Sequence, residues 1–147
     1  LPDDGKVERA LDMGCGTGRL AYGLKNRFPE AKVSGIDIAG PMVRFSHKRA
    51  VDLGIDCFFA QRSAEATGFP DNHFDVIASN ILHHEVDAAA TDEIIKEAFR
   101  ILRPGGIFYP IDHPTGKPSA QNSGRSMIGR STMKSGALTS SPAILVT

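Results

Sequence analysis

Asp12-Met13-Gly14-Cys15-Gly16-Thr17-Gly18, read with Gly35-Ile36-Asp37 further on, decides the fold of this chain. The glycine run stands where an apolar stretch, Val7 to Met13, gives way to Leu20, Leu24 and Phe28. Those three recur at the i, i+4, i+8 spacing of a helix that Pro29 closes. A strand therefore hands over to a helix through glycine. The backbone must turn tightly there and can lie against a ligand with no Cβ between them, and the N–H groups opening the helix face whatever is bound. Asp37 tips the next short strand, Lys32 to Asp37, about 20 residues beyond the loop, where a carboxylate can accept two hydrogen bonds from ribose hydroxyls. The third glycine follows the second by two positions, whereas a dinucleotide loop of the form G-x-G-x-x-G needs three. That spacing argues against a nicotinamide dehydrogenase. So does Asp12, because a pyrophosphate has little use for a carboxylate beside it. A ligand carrying an ammonium and a sulfonium would welcome one.

Strand and helix signals keep alternating up to about residue 112, the mark of βαβ units and a parallel sheet. Met42, Phe45 and Arg49 continue one face of a second helix, opened by Pro41 and closed by Gly54. Ile55 to Ala60 reads as a third strand. Phe74 to Ser79 is a fourth, apolar enough to be buried on both faces. Ile94, Ile95, Ala98, Phe99 and Leu102 stripe a third helix. Arg103-Pro104-Gly105-Gly106 stops that helix and turns into a fifth strand, Ile107 to Asp112. The expectation is an α/β, Rossmann-like, doubly wound and mostly parallel sheet, with a core over 1–112. Residues 113–147 form a Ser/Gly/Pro-rich tail, loop-like or partly disordered, whose apolar end Ala143-Ile144-Leu145-Val146 could add a strand.

Among 147 residues, 41% are hydrophobic, 23% are charged and the net charge is zero, which suits a globular domain with an apolar core. Nothing in that balance points to a nucleic-acid partner, and no apolar run approaches the roughly 20 residues of a membrane span. Leu1 to Gly5 do not resemble a signal peptide. Cys15 and Cys57, far apart and outside any Cys/His ligand pattern, predict free thiols, a reducing cytoplasm and no metal. The missing initiator Met predicts a fragment.

Four stretches carry a family likeness: Ala10 to Gly18, Gly35-Ile36-Asp37-Ile38, Phe69-Pro70-Asp71-Asn72-His73-Phe74-Asp75-Val76-Ile77, and Leu102-Arg103-Pro104-Gly105-Gly106. In order and spacing the chain resembles the class I S-adenosylmethionine-dependent methyltransferases, and more narrowly the small-molecule branch related to quinone-biosynthesis methyltransferases. The resemblance implies S-adenosylmethionine as methyl donor, S-adenosylhomocysteine as product and a small-molecule acceptor. It implies that Gly14, Cys15, Gly16 and Gly18 form the cofactor loop, that Asp12 sits near the methionine ammonium and that Asp37 holds the ribose hydroxyls. Ile38 would lie against the adenine, Ser63 and Ala64 at its amino edge, and Asn80 at the methionine end. Ser63 stands where the family usually has an acid, so the purine loses a charged partner there. The family's sheet has seven strands, in the order 3-2-1-4-5-7-6.

Cys15 reads as a packed residue, since no base is placed to activate it. His83 and His84 follow the fourth strand, where an acceptor would approach. Either could act as a general base, although surface or structural roles are the favoured reading for each. Asp112 and His113 end the fifth strand at the ligand edge of the sheet. The run around Lys96 and Arg100 reads as a solvated helix face. Pro110 inside strand five predicts a sheet truncated to 3-2-1-4-5 with that strand at or near an edge, covered by the tail or by a second copy in a homodimer. A non-catalytic or degenerate cofactor-binding module is the competing function, favoured somewhat by Ser63 and the tail.

Overall fold

The computed structural model describes residues 5–82 and 86–111 and the backbone of 144–145. Its elements run β1 Arg9–Met13, α1 Arg19–Arg27, β2 Lys32–Asp37, α2 Gly40–Leu53, β3 Cys57–Gln61, β4 Phe74–Asn80, α3 Ala88–Ile101, β5 Leu102–Ile111 and β6 Ile144–Leu145. The sheet order is β3-β2-β1-β4-β5-β6. The first five strands are mutually parallel and β6 pairs antiparallel with β5. The doubly wound order 3-2-1-4-5 is therefore present.

Side chains alternate along β1 between two cores, as a pleated strand buried on both faces requires. Ala10 joins Ala21, Leu24, Val43 and Ala50 beneath α1 and α2. Leu11 and Met13 join Ile94, Ala98 and Ile101 beneath α3. Winding starts at β1, moves outward through β2 and β3, and returns to lay β4 on the other side of β1. Asp12 thus has Gly35 on one flank and Ala78 on the other. A crevice opens past the strand ends at such a switch point.

Helix ends follow their sequence signals. Gly54 ends α2 at φ 65° with its N–H on Ala50 and Val51 carbonyls, and Asp87 caps α3 by accepting the Ala90 N–H at 2.9 Å. The face of α2 differs from expectation. Val43, Ser46 and Ala50 are buried, while Met42 and Phe45 are 44% and 49% exposed. Arg100 is also more than a solvated residue, since it holds Glu97, Asp71 and the Phe69 carbonyl.

At β5 the boundary moves as well. Pairing begins at Phe74 with Leu102 and resumes at Val76 with Ile107, so Arg103 to Gly106 loop out as a bulge within the strand. Gly105 takes φ 77° there. Asp75, 1% exposed, accepts the Glu8 and Arg9 amides at 2.8 Å each and the Arg103 guanidinium at 2.9 Å.

Pro110 fits its place because of strand geometry. The Ile81 N–H donates to the Ile111 carbonyl at 2.8 Å, so Ile111 faces β4. Alternate residues turn their polar groups to opposite sides, which puts the Pro110 position on the outer edge. β6 pairs only with Ile107 and Phe108. The missing N–H thus falls where no described strand needs it.

Candidate functional site

The glycine loop is held by backbone bonds before any side chain enters. Gly14 and Cys15 donate to the Ile36 carbonyl at 2.9 and 2.8 Å, and Gly18 donates to the Cys15 carbonyl at 2.8 Å. All three loop glycines have positive φ: 75° at Gly14, 48° at Gly16 and 78° at Gly18. Their open sides differ. A Cβ on Gly18 would meet the Tyr22 and Phe59 rings at 2.9 and 3.0 Å, and one on Gly14 would meet Leu82 at 2.7 Å. Among the described residues nothing lies within 4 Å of the corresponding point on Gly16. Free space therefore begins at Gly16.

Asp37 closes the loop from the tip of β2. One carboxylate oxygen accepts the Gly16 N–H and the other the Ala39 N–H, both at 2.8 Å. A carboxylate offers about four acceptor positions, so capacity remains for a ligand. Ser46, buried on α2, donates its hydroxyl to the Gly16 carbonyl at 2.8 Å and ties that helix to the loop.

Asp12 lies behind the loop and is 1% exposed. Its Oδ2 accepts the Ala21 N–H at 2.8 Å, in the first turn of α1, which has no side-chain cap of its own. Its Oδ1 is buried without a partner among the described residues. Burial pushes its pKa up to about 7, the Ala21 bond opposes that shift and the Asp37 charge adds to it. The Cys15 thiol is raised to about 12, chiefly by burial and then by Asp12 and Asp37. It stays protonated near neutrality and acts as packing.

Gly14, Asp37, Ile38, Ser63 and Ala64 line one crevice of about 410 Å³, counted out to its open mouth. Ile36, Arg62, Glu65, Leu82, Val86 and Ile94 complete it. Ile38, 73% exposed, offers a bare apolar face at its rim. Ser63 accepts the Glu65 N–H at 3.2 Å in a local turn. Asn80 ends β4 as an exposed residue outside this lining. His83, His84, Asp112 and His113 lie outside the described residues. A larger hollow of about 940 Å³ beside Tyr22, Lys25 and Asp56 gathers none of the motif residues, so size does not identify the site. No cluster of metal-ligating side chains occurs among the described residues.

Sequence reasoning missed Ser46, Arg62, Glu65 and Leu82. Ser46 would have shown only if the small-residue stripe Val43-Ser46-Ala50 had been taken as the buried face. Leu82 carried no signal, since its contact with Gly14 joins strand ends far apart in sequence.

A methyltransferase domain model matches residues 10–106. The demethylmenaquinone methyltransferase of Thermus thermophilus is 36% identical over 107 residues, covering 73% of this chain and 48% of that protein. The structure of the YcgJ protein of Bacillus subtilis superposes with TM-score 0.67 at 30% identity, over 74% of this chain and 45% of that one. A geranyl diphosphate methyltransferase in complex with GPP and sinefungin gives TM-score 0.65 at 27% identity, over 72% and 38%. The chain spans about half the length of the curated relatives it matches.

Proposed function

Since the chain belongs to the methyltransferase domain family, we propose that its crevice binds S-adenosylmethionine and that it methylates a small molecule. The observation that carries the reading is Asp37, which the Gly16 and Ala39 amides fix at the crevice with acceptor capacity to spare. An acid so held needs no reorganisation to receive a vicinal diol.

The other residues fit the same ligand. Gly16 opens on free space where a backbone can approach a ribose. The unpartnered Asp12 Oδ1 is a buried acceptor awaiting a cation, directly or through water. Ile38 offers apolar area to a purine face, and Ser63 and Ala64 stand at its edge. Gly14, Cys15 and Gly18 shape the loop, and Asn80 is assigned to the methionine end.

When bound, S-adenosylmethionine supplies a methyl group on a sulfonium sulfur, which an acceptor displaces in line to leave S-adenosylhomocysteine. This chain's own contribution is alignment and exclusion of water. His83 or His84 is assigned as base only for an acceptor that must lose a proton. The demethylmenaquinone relative makes a quinone-type ring the first acceptor to try. The free thiols of Cys15 and Cys57 support a reducing, cytoplasmic setting. A homodimer through β5 has the least support: β6 already pairs with Ile107 and Phe108, and Pro110 offers no donor beyond them.

Titration calorimetry with S-adenosylhomocysteine and with NAD tests the reading. S-adenosylhomocysteine should bind, and Asp37→Ala should weaken it about tenfold or more, as loss of a charged hydrogen-bond acceptor does. Binding of NAD alone would overturn the reading. A radiolabelled methyl-transfer screen over quinols, phenols and amines then finds the acceptor.

A further inference from the structure

The wall of the crevice from Arg62 to Glu65 belongs to no helix or strand. Its Arg62 amide continues the sheet ladder onto the Asp37 carbonyl at 3.0 Å, and beyond that the Ser63 turn sets the Glu65 N–H on Ser63 Oγ at 3.2 Å. Its near end is thus held by β2, and its far end needs a fixed point of its own. Thr67, 1% exposed, is that fixed point. Its carbonyl accepts the Arg62 Nη1 at 2.6 Å, which closes the wall into a short loop. Its N–H and its hydroxyl both donate to Glu97 Oε1 on α3, at 2.8 and 2.6 Å.

Glu97 is 9% exposed and is aimed in turn by Arg100, whose Nε and Nη2 donate to its two oxygens at 2.8 Å. Arg100 reaches on to Asp71 and to the Phe69 carbonyl. The Arg62 guanidinium lies 4.5 Å from the Phe69 ring centre, so both ends of the loop converge on one anchor. Neither Thr67 nor Glu97 lines the crevice. Buried charge-assisted bonds of this number on a residue that touches no ligand have one evident product, a fixed wall.

We propose that Thr67, clamped between Glu97 and Arg62, is a positioning residue that sets the Ser63–Glu65 wall and thereby the crevice's affinity and selectivity for an adenine base. The inference rests on the reading of this crevice as a nucleoside site. The wall offers the Ser63 hydroxyl, whose oxygen already accepts and whose proton is left to donate, beside the Glu65 carboxylate, an acceptor. Adenine carries an amino donor next to a ring acceptor. Hypoxanthine reverses the two. A wall held in place tells them apart, and a loose wall does not.

The test is calorimetry on the full chain with S-adenosylhomocysteine and its inosine counterpart, S-inosylhomocysteine, with circular dichroism confirming the fold of each variant. The native chain should prefer the adenine form. Thr67→Val and Glu97→Ala should raise the S-adenosylhomocysteine Kd about tenfold and shrink that preference, whereas Thr67→Ser should keep both within about threefold. If Glu97→Ala does not fold, Thr67→Val, a swap of similar volume, decides alone. A native chain that binds both compounds equally overturns the inference. So do folded variants that keep native affinity and preference, or that lose affinity for both compounds by the same factor. A native chain that binds neither compound overturns the functional reading itself.

Discussion

At Asp12 the two carboxylate oxygens have different fates, one capping α1 through the Ala21 amide and the other buried without a partner among the described residues. Burial holds its pKa at about 7 in the folded chain against an ordinary 3.8. Because the folded value is the higher one, the native state binds more protons than the unfolded state between those values. The contribution of Asp12 to stability is therefore full below about pH 4 and is lost as pH rises towards 7 and beyond. A ligand cation would favour the ionised form, so S-adenosylhomocysteine should bind more weakly as pH drops below 7. Calorimetry from pH 5.5 to 8 should show that slope, and Asp12→Asn should flatten it and lower affinity. Thermal melts should find Asp12→Asn losing less stability than the native chain between pH 5 and 8. The positions of Asp12 ahead of the loop and of Asp37 at the tip of the next strand were legible in the sequence, because both follow from local spacing, but the bonds by which Asp37 holds the Gly16 and Ala39 amides were not. The differing surroundings of Gly14, Gly16 and Gly18 were not. Which atoms fill the place of a missing Cβ depends on Leu82, Tyr22 and Phe59, brought there by the whole fold.

Among the elements, α2 shows where pattern reading stops. Met42-Phe45-Arg49 and Val43-Ser46-Ala50 are stripes one position apart, and the first has the larger apolar side chains. Ser46 settles the choice: its hydroxyl is satisfied by the Gly16 and Met42 carbonyls, so a polar residue can sit fully buried. Chemical denaturation should register this difference. Val43→Ala should cost about 2 kcal/mol, from lost apolar burial plus a cavity. Phe45→Ala should stay within about 0.5 kcal/mol, as surface substitutions do. The start of β5 escaped sequence reading for a related reason. Arg103-Pro104-Gly105-Gly106 carries turn residues, and only the Arg103 bond to Asp75 and the pairing of Leu102 with Phe74 reveal a strand passing through a bulge.

For the molecule as a whole, the alternation of strands and helices was legible in the residues themselves, whereas the strand order 3-2-1-4-5 came from the family resemblance, and the sheet has it. How the β5 edge is finished was legible only as two alternatives, the tail or a second copy, since pairing between residues far apart in sequence leaves no local signal, and the apolar end of the tail is what pairs there. Ile144 and Leu145 satisfy Ile107 and Phe108, and Pro110 supplies no donor beyond them. The full chain should therefore run as a monomer in analytical ultracentrifugation. Truncation after residue 142 should bare Ile107 and Phe108 and shift the mass to a dimer or larger.

The Asp75 carboxylate has a practical corollary. By gathering the Glu8 and Arg9 amides and the Arg103 guanidinium, it rivets the lead-in to β1 onto the start of β4. That rivet sits at the entry pole of the sheet, while the crevice proposed to bind the cofactor opens at the exit pole. The five residues of β1 separate the two poles by about 17 Å. An affinity tag, fluorophore or surface tether joined ahead of Lys6 enters at the riveted end. Immobilised through it, the protein presents its docking mouth outward.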